Sequence, residues 1–83
     1  MSKAILRIGA VQGRYGLARS TIYLHIHKGL LPPPVSLGPR AVGFPENELN
    51  AIFSARIAGA DEGEIKSIVS RLMESREVTH EFL

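Results

Sequence analysis

The sequence predicts a small, mostly helical fold in which one β-hairpin interrupts four helices. Three observations carry that expectation. Apolar residues recur at helical spacing in four separate windows, and three of those windows end at a glycine (Gly16, Gly29 and Gly59). Between the second and third windows lies Pro32-Pro33-Pro34, followed by apolar residues alternating about Gly38-Pro39. At 83 residues the chain makes one domain, and a chain of this size buries roughly 60–65% of its unfolded surface, enough for one small core and too little for a deep active-site cavity.

The first helix is short, from about Ile8 to Arg14, and Gly16 turns the chain sharply behind it. A second helix follows from about Arg19 to Lys28, with Ile22, Ile26 and Leu30 forming an apolar row. Gly29 sits where a helix ends in a left-handed residue, and the three prolines stop the helix from resuming. The segment from Val35 to Phe44 reads as a hairpin with Arg40 at or beside its tip. Pro45 pre-sets the backbone for a third helix whose first turn carries Glu46 and Glu48, where the macrodipole favours anions. Leu49, Ile52, Phe53 and Ile57 are its expected buried stripe. Asp61 and Glu64 have capping-box spacing, and a fourth helix to about Arg76 places Ile65, Ile68, Val69 and Leu72 on one face. A short hairpin behind a helix-turn-helix is a winged arrangement. The fold class is therefore mostly α with a small β-hairpin wing, a winged helix-turn-helix over residues 1–59, plus an additional C-terminal amphipathic helix over 60–77. Residues 78–83 show no pattern and are expected to be a flexible tail.

Charge is divided unevenly along the chain. Residues 1–45 hold six cations and no acidic residue, whereas residues 46–83 carry a net charge of −4, so the chain as a whole is +2. A uniformly basic half suits a polyanion. No cysteine is present, which excludes disulfides and thiolate metal sites. His25 and His27 lie two apart on a helix, point about 200° apart and cannot chelate one ion. His25 reads as a hydrogen-bonded boundary residue, and His27 as a phosphate contact or an idle one. With no acid before Glu46, no Gly-rich phosphate loop and no nucleophile beside a base, neither a catalytic site nor a cofactor or metal site is expected. No apolar run approaches the roughly 18 residues of a membrane span, so a soluble cytoplasmic protein is expected.

The second helix carries the functional expectation. With Ile22 turned inward and about 100° per residue, Ser20 and Leu24 fall nearly opposite it, flanked by Thr21, His27 and Lys28, with Tyr23 at the boundary. Arg19 at the helix start reaches either side. Such a face suits the major groove of double-stranded DNA: arginine pairs bidentately with guanine, hydroxyls meet several base edges, and leucine touches the thymine methyl. The first-turn N–H groups are free to meet phosphate. The candidate DNA-binding residues on this reading are Arg14, Arg19, Ser20, Thr21, Leu24, Lys28 and Arg40, to which the resemblance described next adds Tyr23.

The run Gly16-Leu17-Ala18-Arg19-Ser20-Thr21-Ile22-Tyr23, then Ile26, Gly29, Leu31 to Val35, Leu37 to Phe44 and Glu48-Leu49, resembles the AlpA family of prophage regulatory proteins over roughly residues 5–58. The resemblance implies a MerR-like, excisionase-related winged helix-turn-helix, with Arg19, Ser20, Thr21 and Tyr23 on DNA and the hairpin as wing. The chain departs from the family pattern in four places. Ala18 replaces the usual N-capping Ser, and Leu24-His25 replaces an Arg-Leu pair. Phe44 and Ile52 stand where Trp is common, and the fourth helix runs past the usual end.

Three functions fit. The favoured one is a transcriptional regulator of prophage or mobile-element genes, acting on duplex DNA and possible as a homodimer. The second is an excisionase-like factor assisting an integrase. The third is a protein-interaction module working through the fourth helix. The same helix is equally suited to packing within the domain or to dimerisation.

Overall fold

The computed structural model describes residues 4–81, with side chains from 4 to 76. In chain order it contains β1 (Ile5–Leu6), α1 (Ile8–Tyr15), α2 (Arg19–His27), β2 (Val35–Gly38), β3 (Ala41–Pro45), α3 (Glu46–Ile57) and α4 (Glu62–Glu81). The four expected helices and the hairpin are all there.

Glycine sets the helix ends. Gly16 takes φ 67° and its N–H donates to the Gln12 carbonyl at 2.9 Å, a left-handed cap that closes α1. Gly29, at φ 78°, donates to Ile26 while Leu30 N–H donates to the His25 carbonyl at 2.8 Å. These two bonds form a Schellman motif. Gly59 closes α3 through the same pair of bonds, its own N–H to Arg56 and that of Ala60 to Ala55. At the other end of the helices, α1, α2 and α3 have no side-chain cap. Helix α4 does: Glu64 N–H donates to Asp61 Oδ1 at 2.9 Å, and Asp61 N–H donates to Glu64 Oε1 at 3.0 Å, which completes the capping box.

The sheet holds one strand more than the hairpin. Its order is β1-β3-β2, all antiparallel, with Leu6 opposite Phe44 and Val35 opposite Gly43. Strand β1 was not expected, because two residues give no alternation to read. It exists because β3 offers a free edge, and the Glu46 N–H extends the pairing to the Ala4 carbonyl at 2.9 Å. Ile5 and Leu37 close over Gly43 from either side; a methyl group there would meet Ile5 Cγ2 and lie 2.9 Å from Leu37 Cδ1. Any larger residue there would force one of these two exposed side chains to move.

Every helix feeds one core. Val11, Ile22, Leu30, Leu31, Phe44, Leu49, Ile52, Ile65 and Val69 are buried together. Phe44 and Ile52, where the family commonly has Trp, fill the centre. The Tyr15 ring stacks on Phe53 at 3.8 Å between centroids, and its hydroxyl donates to Asn50 Oδ1 at 3.2 Å, fastening α1 to α3. One expected core residue is not in it: Ile57 is 88% exposed. It lies about 140° round the helix from Ile52 and one turn beyond Phe53, on the flank that α1 covers only as far as Tyr15.

Helix α4 packs back onto the domain through Ile65 and Val69, with Ile68, Leu72 and Met73 partly buried beside them. Near its end, Arg76 reaches α3. Its Nε donates to Glu48 Oε2 at 2.7 Å, its Nη2 bonds Glu48 Oε1, and Nη2 also donates to the Pro33 carbonyl at 2.8 Å. The helix runs on to Glu81, beyond the Arg76 boundary read from the pattern, so the first residues of the expected flexible tail are helical; Phe82 and Leu83 lie outside the described residues.

Candidate nucleic-acid interface

Burial of Ile22 fixes the rotation of α2. Ile22 has no exposed surface and Ile26 packs at the core edge. The opposite face must then point outward: Arg19, Ser20, Tyr23, Leu24, His27 and Lys28 are all exposed, and Leu24, at its centre, is 50% exposed. Thr21 is half-buried on the flank. Helix α4 leaves this ridge uncovered. The Arg19 guanidinium carbon sits 5.8 Å from the centroid of the Tyr23 ring, one turn on. That distance lies within the range of a cation–π contact, which pre-orders a long cationic side chain.

The start of α2 is open. Ala18 is extended, at φ −71° and ψ 151°, and provides no side-chain acceptor. The orphan N–H groups of the first turn stay available to an anion.

The wing tip is strained at the residue that carries the charge. Arg40 has φ 133°, beside Gly38 at φ 147°, and the β2–β3 register shifts between Ser36 and Gly38. A non-glycine residue in this region costs on the order of 1–3 kcal/mol. The tight turn holds the exposed Arg40 at the hairpin's end.

The cations fall into two groups. Arg14 donates to Glu46 Oε2 at 2.7 Å and Arg76 is committed to Glu48. Arg19, Lys28 and Arg40 hold no ion pair among the described residues. Hydrogen bonding to Glu46 raises the already high pKa of Arg14, so its charge is permanent but shared with a carboxylate. The sequence placed Glu46 and Glu48 only as helix-start anions. Their partners lie 32 and 28 residues away, and nothing local announces them.

His25 faces inward on the α4 side of α2. Burial lowers its pKa from the ordinary 6.5, with Arg56 and Lys28 pushing the same way and Glu62 opposing them. One nitrogen of Arg56, Nη2, is buried with no hydrogen-bond partner. A neutral histidine is therefore favoured in the folded state. As pH falls through 6.5 the unfolded chain takes up the proton first, so stability declines until the folded value is reached. Urea midpoints should drop between pH 7.5 and 5.5, and His25→Gln should flatten that dependence.

Neither a metal-holding cluster of three His, Cys, Asp or Glu nor a helix long and apolar enough to cross a membrane is found among the described residues. The ridge, the open helix start and the wing thus form a cationic, acid-free surface on the first 45 residues.

Comparison with known proteins adds identity. The chain is 47% identical over 58 residues to "Uncharacterized protein ORF88" of Enterobacteria phage P4, an alignment covering 70% of this chain and 66% of that protein. No solved structure matches. The family described as "Prophage CP4-57 regulatory protein (AlpA)" matches residues 4–57, the whole stretch from β1 to the end of α3. The helix-turn-helix, the wing and the helix behind them are therefore the shared part, and the chain belongs to the AlpA family of prophage regulatory proteins.

Proposed function

We propose that the protein is a sequence-specific double-stranded DNA-binding regulator of prophage or mobile-element genes. The observation that carries this reading is the uncovered face of α2: its cations hold no ion pair among the described residues, and no acidic residue precedes Glu46. Arg19 reads guanine, with Tyr23 bracing it. Ser20 and Thr21 meet base edges at the helix start, and Leu24 meets a thymine methyl at mid-ridge. Lys28 and Arg40 take phosphates on either end of the surface. Arg14 would reach phosphate only by giving up Glu46, which makes it the weakest of the eight.

The test is a salt titration on duplexes selected by the protein from a random pool. Binding should fall steeply with salt, and Arg40→Ala should reduce the slope by about one. Arg19→Ala should instead relax preference at one base pair, by about 1–3 kcal/mol. Affinity indifferent to salt would overturn the reading. A promoter reporter run beside a recombination assay with an integrase separates a regulator from an excisionase.

A further inference from the structure

The family match ends at residue 57, and α4 lies wholly beyond it. This helix nevertheless reaches the reading helix. A methyl group on Gly29, the residue that ends α2, would lie 4.0 Å from Lys66 Cγ. Glu62, one turn earlier on α4, is near enough to His25 to act on its charge. Lys66 is exposed and holds no ion pair among the described residues, with Glu62 or any other carboxylate.

The geometry of a helix in a groove says what such a cation meets. An α-helix with its side chains is about 10–12 Å across and the major groove about 12 Å wide, so the flanks of an inserted helix face the two sugar-phosphate strands. Lys28 falls about 60° to one side of the line through Ser20 and Leu24, and this is the side on which His25 faces Arg56 and Glu62. Lys66, exposed on α4, lies beside Gly29, just past the end of α2.

We propose that Lys66 is a DNA-backbone contact, through which the fourth helix joins Lys28 in holding one phosphate strand beside the reading helix. This rests on the DNA-binding reading above. It extends the interface to an element that the family match does not include, and it gives α4 a role beyond covering the core.

The experiment compares Lys66→Ala with Arg71→Ala in the full chain, on a duplex selected by the wild-type protein. Arg71 is also exposed on α4 and removes the same charge, but it lies about 140° round the helix. Lys66→Ala should lower the slope of log K against log salt by about 0.9 and weaken binding to all sequences alike. Lys66→Arg should keep the wild-type slope, and Arg71→Ala should leave it unchanged. Equal slopes for Lys66→Ala and the wild type would overturn the proposal, as would equal losses for Lys66→Ala and Arg71→Ala, which would reveal only overall charge. Thermal melts of each variant confirm that it is folded. Absence of wild-type DNA binding is a different result: it removes the functional reading itself.

Discussion

Arg76→Ala is expected to cost about 3 kcal/mol of stability, which for a domain of this size lowers Tm by roughly 12–24 °C. The Glu48 side chain is only 7% exposed and Arg76 supplies both of its hydrogen-bonded partners, while the same guanidinium satisfies the Pro33 carbonyl. Truncation leaves a buried carboxylate with no counter-charge, the costly half of any buried ion pair. Replacing both residues by leucine removes that charge along with its partner, and most of the loss should return. Thermal and urea unfolding of the single and double variants measure this directly. A single variant as stable as the wild type would mean that the pair contributes nothing net.

The second large effect is on binding. Leu24→Glu should reduce DNA affinity at least 100-fold, since like charges brought together across an interface cost several kcal/mol and a factor of 100 needs about 2.8. Leu24 is half-exposed at the middle of the ridge and outside the core cluster. Its replacement should therefore change folding stability by less than about 0.5 kcal/mol. Loss of binding with an unchanged melting curve separates recognition from structure. Retained binding would mean that α2 does not enter the groove by this face.

What was legible in the sequence was local. Gly16 and Gly29 announced the helix ends because a left-handed residue is needed within one turn of the last helical one. Asp61 and Glu64 announced a helix start because their reciprocal bonds span three residues. The rotation of α2 followed from Ile22 and Ile26 alone, so the outward position of Ser20 and Leu24 was available before any coordinates. What was hidden was long-range. Strand β1 owes its existence to the free edge of β3, some 40 residues on. Glu46 and Glu48 looked complete as helix-start anions, yet each holds an arginine from a distant element. Ile57 failed because periodicity gives a direction, not whether a neighbour is long enough to cover it. For the candidate site, the pattern found the ridge but could not tell that Arg14 is shared with a carboxylate while Arg19, Lys28 and Arg40 hold no ion pair among the described residues.

The lengths of the helices carry one more consequence. Helices α1 and α2 have 8 and 9 residues and no side-chain caps, whereas an isolated helix in water needs about 12–15 residues to persist. Helix α4, with 20 residues and a complete cap, is the one segment suited to nascent order in the denatured ensemble. The helix pair that carries the candidate site is thus borrowed architecture. Excised as a peptide it should be a coil, and any insult that melts the core should silence recognition in the same cooperative step.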